Sequence, residues 1–389
     1  MISRIKNGTI ITDTLVSGKY LYFEDEKIID ITDEELPFEA EIDAEGMYIS
    51  PGFIDIHTHG GGGYSFTNGS VEDILACARV HAKFGTTTIF PTASTASRET
   101  LAQYVANVRD AVKLNKPGLP QIAGSHLEAP YFAQSQRGGQ HPDYIRDPDP
   151  EEYHNFLKIS EGTLKRITFA PELPGASELC DFLAENGIVA SYGHTDAVYS
   201  EIKPLIDKGC TLACHIYSGM SLVTRRNLIR NLGAVETTYL EDSVTAEAIC
   251  DGIHLPPEIL KLVYKIKGPD KICLITDSIT AAGIDPDDFN SGKYGNNERT
   301  FIANGVCYLK DMSAFSGSIA TTDVLVRVMH KKVGIGLPEC IKMMCENPAR
   351  EMKLPDRGRL AAGLRSDIVL FDGDINVKKV IIGGKEPTD

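Results

Sequence analysis

Eight short apolar runs recur between Phe53 and Thr276, and they limit the fold of this chain more than any other feature. They are Phe53 to Ile56, Thr86 to Pro91, Gln121 to Leu127, Arg166 to Ala170, Ile188 to Tyr192, Thr211 to His215, Ala246 to Cys250 and Lys271 to Thr276. Each has the length of a buried strand. Segments with helical periodicity lie between most of them. Val71, Ile74, Leu75, Ala78 and Ala82 share one side of a helix over 71–83, and 101–112 and 322–332 behave alike. Strand and helix alternating eight times predicts an α/β fold, a (β/α)8 TIM-like barrel.

Such a barrel places its chemistry at the C-terminal ends of the strands. Polar residues should therefore stand where the apolar runs stop. His57 and His59 close the first run, and residues two apart in a strand point to one side, so these imidazoles converge. Glu128 follows the third run, Glu172 the fourth and His194 the fifth. His215 closes the sixth, Asp251 and His254 follow the seventh, and Asp277 follows the eighth. The second run, ending at Pro91, offers no such residue.

Both ends of the chain read differently. Lys6 to Thr14, Lys19 to Phe23, Lys27 to Thr32 and Met47 to Ser50 are short strand-like pieces divided by turn residues, and so are Asp367 to Phe371 and Val377 to Ile382. Neither end alone makes a core. The expectation is one small β-sandwich domain from residues 1–50 plus 350–389, attached to a barrel domain over 51–349.

The formal net charge of −15 argues against nucleic acid, whose binding rests on Lys and Arg contacts to phosphate. No run approaches the ~18 apolar residues of a membrane span, and the N-terminus lacks a signal-peptide core. The nine cysteines show no framework spacing, so they are expected as reduced, small core residues of a cytoplasmic protein.

Imidazole nitrogen and carboxylate oxygen together suit a divalent cation. His57, His59, Glu128, His194, His215 and Asp277 supply both kinds. Two ions could be held with Glu128 as the bridge, or one on Glu128, His194 and His215. A bound ion brings the pKa of water from about 15.7 to about 7, and Asp277 is placed to act as general base.

The motifs PGFIDIHTHGGGG (51–63), HLEAPYF (126–132), GHTDA (193–197), HIYSGM (215–220), DGIHLPP (251–257) and LITDSITAAG (274–283) carry a resemblance that covers nearly the whole chain. It is to the metal-dependent amidohydrolase superfamily and, within it, to the N-acetylglucosamine-6-phosphate deacetylase family. The resemblance implies removal of the acetyl group from an N-acetyl amino sugar 6-phosphate. It implies one or two divalent metal ions, zinc or iron. The family's ligands fall on Glu128, His194 and His215, and its general acid/base falls on Asp277. The pair His57 and His59 resembles the two-metal members, and Glu128 stands where other members of the superfamily carry a carboxylated lysine. His254 matches a substrate-contacting histidine and His141 a further pocket histidine. Arg226 matches a phosphate-binding arginine that reaches the site of a neighbouring subunit, and the resemblance implies a homodimer.

The chain departs from the family at the substrate end. Ser218-Gly219 replaces the usual Asn-Ala, Asn227 replaces a Glu, and Ser278 replaces an Ala. Another N-acyl sugar or an N-acyl amino acid is the alternative substrate, and a non-catalytic barrel with a binding role is the alternative class. His126 shares the face of Glu128, as second-layer support or as packing. His81, His154 and His330 are expected at the surface.

Overall fold

The computed structural model describes residues 1–293 and 299–387. All eight apolar runs are strands: β1 Phe53–Thr58, β2 Thr86–Ala93, β3 Ser125–Leu127, β4 Leu164–Phe169, β5 Val189–Tyr192, β6 Leu212–Ala213, β7 Thr245–Ile249 and β8 Ile272–Ile275. Each pairs in parallel with the next. The ring closes where the Asp277 N–H donates to His57 O at 2.9 Å, with a parallel bridge from Thr58 to Ser278.

The third run breaks in two. Gln121–Ile122 pairs with β2, and the ladder resumes at Ser125. Gly124 lies between at φ 141°, where a Cβ would meet Lys165 and Thr163 O, so only glycine makes the step.

The helices follow from local signals. Helix α1, Val71–Ala82, starts on a capping box between Ser70 and Asp73, and α2, Arg98–Val112, starts on a Ser97 cap. Helix α1 buries Ile74, Cys77, Ala78, His81 and Ala82. His81 therefore corrects the expectation of a surface histidine. It shares the helix's inward stripe with Ala78 and Ala82, and its Nε2 bonds Gly60 O at 3.0 Å.

The two chain ends form two sheets. One runs Lys27–Thr32, Tyr20–Glu24, Ile2–Lys6, Ala40–Asp43. The other runs Val377–Ile381, Ile368–Phe371, Tyr48–Pro51, Thr9–Ile11, Leu15–Ser17. Ile5, Leu21, Phe23 and Ile28 from the first pack with Ile10, Ile49, Ile368 and Leu370 from the second. Each such side chain contributes roughly 1.5–3 kcal/mol when fully buried. This sandwich bears on the site directly. The C-terminal strand Ile368–Phe371 pairs with Tyr48–Pro51, and Gly52 N donates to Asp367 O at 2.8 Å just before β1 begins. All nine cysteines are buried and unpaired. No helix among the described residues is long and apolar enough to cross a membrane.

Candidate active site

The strand ends converge on Glu128. Its Oε1 lies 2.6 Å from His215 Nε2, 3.0 Å from His194 Nε2 and 3.5 Å from His57 Nε2. Its Oε2 lies 3.2 Å from His59 Nε2. Asp277 Oδ1 faces the first-strand pair, 3.2 Å from His59 Nε2 and 3.6 Å from His57 Nε2. His194, His215 and Asp277 hold left-handed φ angles of 47°, 26° and 47°. Side chains rarely tolerate that conformation, and such strain concentrates at functional sites.

Every imidazole is turned by a partner on its far side. His194 Nδ1 donates to Gln136 O at 2.7 Å and His215 Nδ1 to Ser218 O at 3.0 Å. His57 Nδ1 donates to Glu247 Oε2 at 3.3 Å, and His59 Nδ1 pairs with Ser94 Oγ at 3.0 Å. Rings that donate from Nδ1 and still press Nε2 on carboxylate oxygens need a proton or a metal cation between them. His57 Nε2 is buried with no hydrogen-bond partner. This donor set fits a divalent cation, or two: one at Glu128, which His194 and His215 both face and which groups with His57, Cys214 and His215, the other between His57, His59 and Asp277. Cys214, 3.9 Å from Glu128 Oε1, sits at the edge of the cluster.

The electrostatics point the same way. Burial pushes the Glu128 carboxyl up, but His57, His194 and His215 outweigh it and hold it well below the usual range. Burial lowers His59, but Asp277 and Glu128 lift it to about 9. Burial raises Asp277, and His59 with His57 bring it below its ordinary value. Two buried carboxylates here demand positive charge close by.

The cluster floors a cavity of about 330 Å³ lined also by Gln140, Ser218, Gly219, His254 and Phe315. His254 donates from Nδ1 to Asp251 Oδ2 at 2.6 Å, and Ser318 Oγ donates to the same oxygen at 3.0 Å. Phe315 packs on the imidazole with centroids 4.8 Å apart. His126 lies behind His57, rings 4.8 Å apart and nearly perpendicular, bonded to Thr168 at 2.7 Å and Thr92 at 3.2 Å. It braces a ligand ring. Glu172 accepts from Thr195 Oγ1 and from the Asp196 N–H, so it fixes the loop that carries His194.

Two expected residues stand apart. His141 lines a neighbouring polar cavity with Ser97, Thr100 and Arg299. Arg226 lies on an exposed hairpin, Thr224–Arg226 with Ile229–Asn231, where it bonds Glu201 at 2.7 Å and Asp196 O at 2.9 Å. Three contributors escaped the sequence. Ser94 follows β2, the strand that had offered no chemistry. Gln140 comes from a loop, donating to Glu128 Oε2 at 2.7 Å while Thr95 N fixes its amide oxygen. Glu247 sits inside β7. The first was legible only as one of the hydroxyls, with Thr92, just past the end of the second run; the other two had no signal in one sequence.

A closed parallel barrel with four imidazoles and two carboxylates at its strand ends defines a metal-dependent hydrolase of the amidohydrolase type. The model of the Amidohydrolase family matches residues 48–386. The chain is 32% identical to the N-acetylglucosamine-6-phosphate deacetylase of Haemophilus influenzae, over 88% of this chain and 87% of that one. The crystal structure of the same enzyme from Pasteurella multocida superposes with a TM-score of 0.90 at 28% identity, covering 99% of both chains. A mutant of the Mycobacterium smegmatis enzyme in complex with N-acetyl-D-glucosamine-6-phosphate superposes at 0.87, at 28% identity, over 99% of this chain and 98% of that one. The chain belongs to the amidohydrolase family, in its N-acetylglucosamine-6-phosphate deacetylase branch.

Proposed function

We propose that this chain hydrolyses the acetamide of N-acetylglucosamine 6-phosphate to the amino sugar phosphate and acetate. The observation that carries the reading is the convergence of Asp277, Glu128 and four imidazole Nε2 atoms on the floor of one cavity. A divalent cation held by these residues, zinc or iron by the family resemblance, would supply Lewis-acid polarisation of the amide carbonyl and acidify water. Glu128, His194 and His215 would hold one such ion, and His57, His59 and Asp277 would complete a second position.

Asp277 is the proton carrier. Its carboxylate takes the proton of the attacking water and returns it to the amine as the C–N bond breaks. The low pKa that His59 and His57 impose keeps it ready to accept. His254, oriented by Asp251, presents its other edge to the substrate, and Phe315 shapes that wall. Ser218 and Gly219 line the same cavity.

Among the described residues, no lysine or arginine lines the cavity. A phosphate calls for a charged donor. The hairpin with Arg226 also exposes Leu222, Val223, Leu228 and Ile229. Contiguous exposed apolar surface marks an interaction site. This supports a homodimer in which each hairpin docks on the other copy and delivers Arg226 to its phosphate. The nine buried, unpaired cysteines support a reducing, cytoplasmic setting.

The test is acetate release with metal content measured. Substrates are N-acetylglucosamine and its galacto epimer, each with and without the 6-phosphate, and an N-acetyl amino acid. Strong preference for the phosphorylated gluco sugar, lost on chelation, is expected. Acetate release indifferent to phosphate overturns the substrate assignment.

A further inference from the structure

Beneath the ligand cluster lies a layer of charge that the hydrolysis does not use. Arg166 on β4 and Glu247 on β7 both have zero exposure. Arg166 Nη2 donates to Glu247 Oε2 at 2.8 Å, Nη1 bonds Oε1, and Nε donates to Ser191 Oγ at 2.9 Å. β4 and β7 are not neighbours in the ring, so the pair spans the barrel. Burying such a pair costs several kcal/mol per ion, and apolar residues of similar volume often serve stability as well or better. Stability alone does not explain these residues.

Glu247 explains itself on its upper side. Its Oε2 lies 3.3 Å from His57 Nδ1 and 3.4 Å from the His215 backbone nitrogen. An imidazole that donates from Nδ1 keeps its lone pair on Nε2. That atom of His57 is the partnerless buried nitrogen between Glu128 and Asp277. Arg166 also cancels the charge of Glu247. The carboxylates left facing a cation are then Glu128 and Asp277.

We infer that Glu247, clamped by Arg166, is a positioning residue that turns His57 toward the position completed by His59 and Asp277, and so sets occupancy by a second divalent cation. This rests on the metal-dependent reading above.

The experiment uses zinc alone as the probe. Bound zinc per chain is measured at buffered free zinc for the wild type, for Glu247→Leu and for the double variant Arg166→Met/Glu247→Leu. The double variant replaces the pair with apolar volume, so its metal-free melting temperature should match the wild type's. Two zinc ions per wild-type chain are expected. Both variants should keep one and bind the second about 10–100-fold more weakly, the usual effect of losing an outer partner. A double variant that binds both ions as tightly as the wild type makes the pair merely structural and overturns the inference. A wild type that binds one ion also overturns it, while acetate release by that protein leaves the proposed hydrolase standing. A second measurement needs no variant: the ¹⁵N shifts of His57 in the zinc-loaded wild type. A proton on Nδ1 is expected, and its absence overturns the inference.

Discussion

Gly219 and His194 meet without room for a methyl group. A Cβ on Gly219 would lie 2.8 Å from His194 Nδ1 and 2.9 Å from Gln136 O, on top of the hydrogen bond between them. The backbone there has φ 56°, a region that costs a side-chain-bearing residue roughly 1–2 kcal/mol. Gly219→Ala should therefore lower stability by about that amount and free His194 to turn. Metal affinity should drop about 10–100-fold. Zinc titration and thermal unfolding check this; unchanged affinity would show that His194 needs no such anchor.

Asp277→Asn should keep the fold and substrate binding while kcat falls about 10²–10⁴-fold, the usual worth of a positioned proton carrier. The amide cannot accept the water proton. Single-turnover acetate release alongside substrate binding separates the two effects. A kcat within a few-fold of wild type removes Asp277 from the chemistry.

Arg226→Ala should weaken the phosphorylated substrate by about 2 kcal/mol, roughly 30-fold in KM, and spare an unphosphorylated sugar. A mixing experiment is sharper. Arg226→Ala and Asp277→Asn are each crippled, but a mixed dimer holds one site with a sound Asp277 and an Arg226 donated by the other copy. Activity should return on mixing. If it does not, each chain builds its phosphate contact alone.

His81 predicts an acid-sensitive fold. Burial holds its imidazole down at about 4, whereas in an unfolded chain it titrates near 6.5. Between those values the unfolded state binds the extra proton, so stability falls as pH drops through 6.5 toward 4. The displacement corresponds to about 3 kcal/mol. His81→Gln keeps a donor for Gly60 O without the titration. Urea unfolding of the metal-free proteins at pH 7 and 4.5 should show the smaller loss in the variant. Equal losses would clear His81.

The barrel was legible because buried strands write themselves as apolar runs, and a run's end marks a strand's chemical end. His57, His194 and Asp277 were found that way. Glu247 and Arg166 were not, because a charged residue inside a strand looks like a solvated face until its partner across the ring is known. The break at Gly124 was hidden for a related reason: a glycine in an apolar run does not announce its φ. Arg226 was singled out by resemblance alone, and it does not line this chain's own cavity.

The ring is sealed where the Asp277 N–H meets His57 O, beside a Thr58–Ser278 hydroxyl contact 220 residues apart in sequence. The last barrel strand in the sequence thus carries at its end the carboxylate proposed to move the proton. That seam sets Asp277 Oδ1 3.2 Å from His59 Nε2. On the proposed mechanism, a chain cut before β8 would lack Asp277 and with it turnover, so acetate release would report a closed ring.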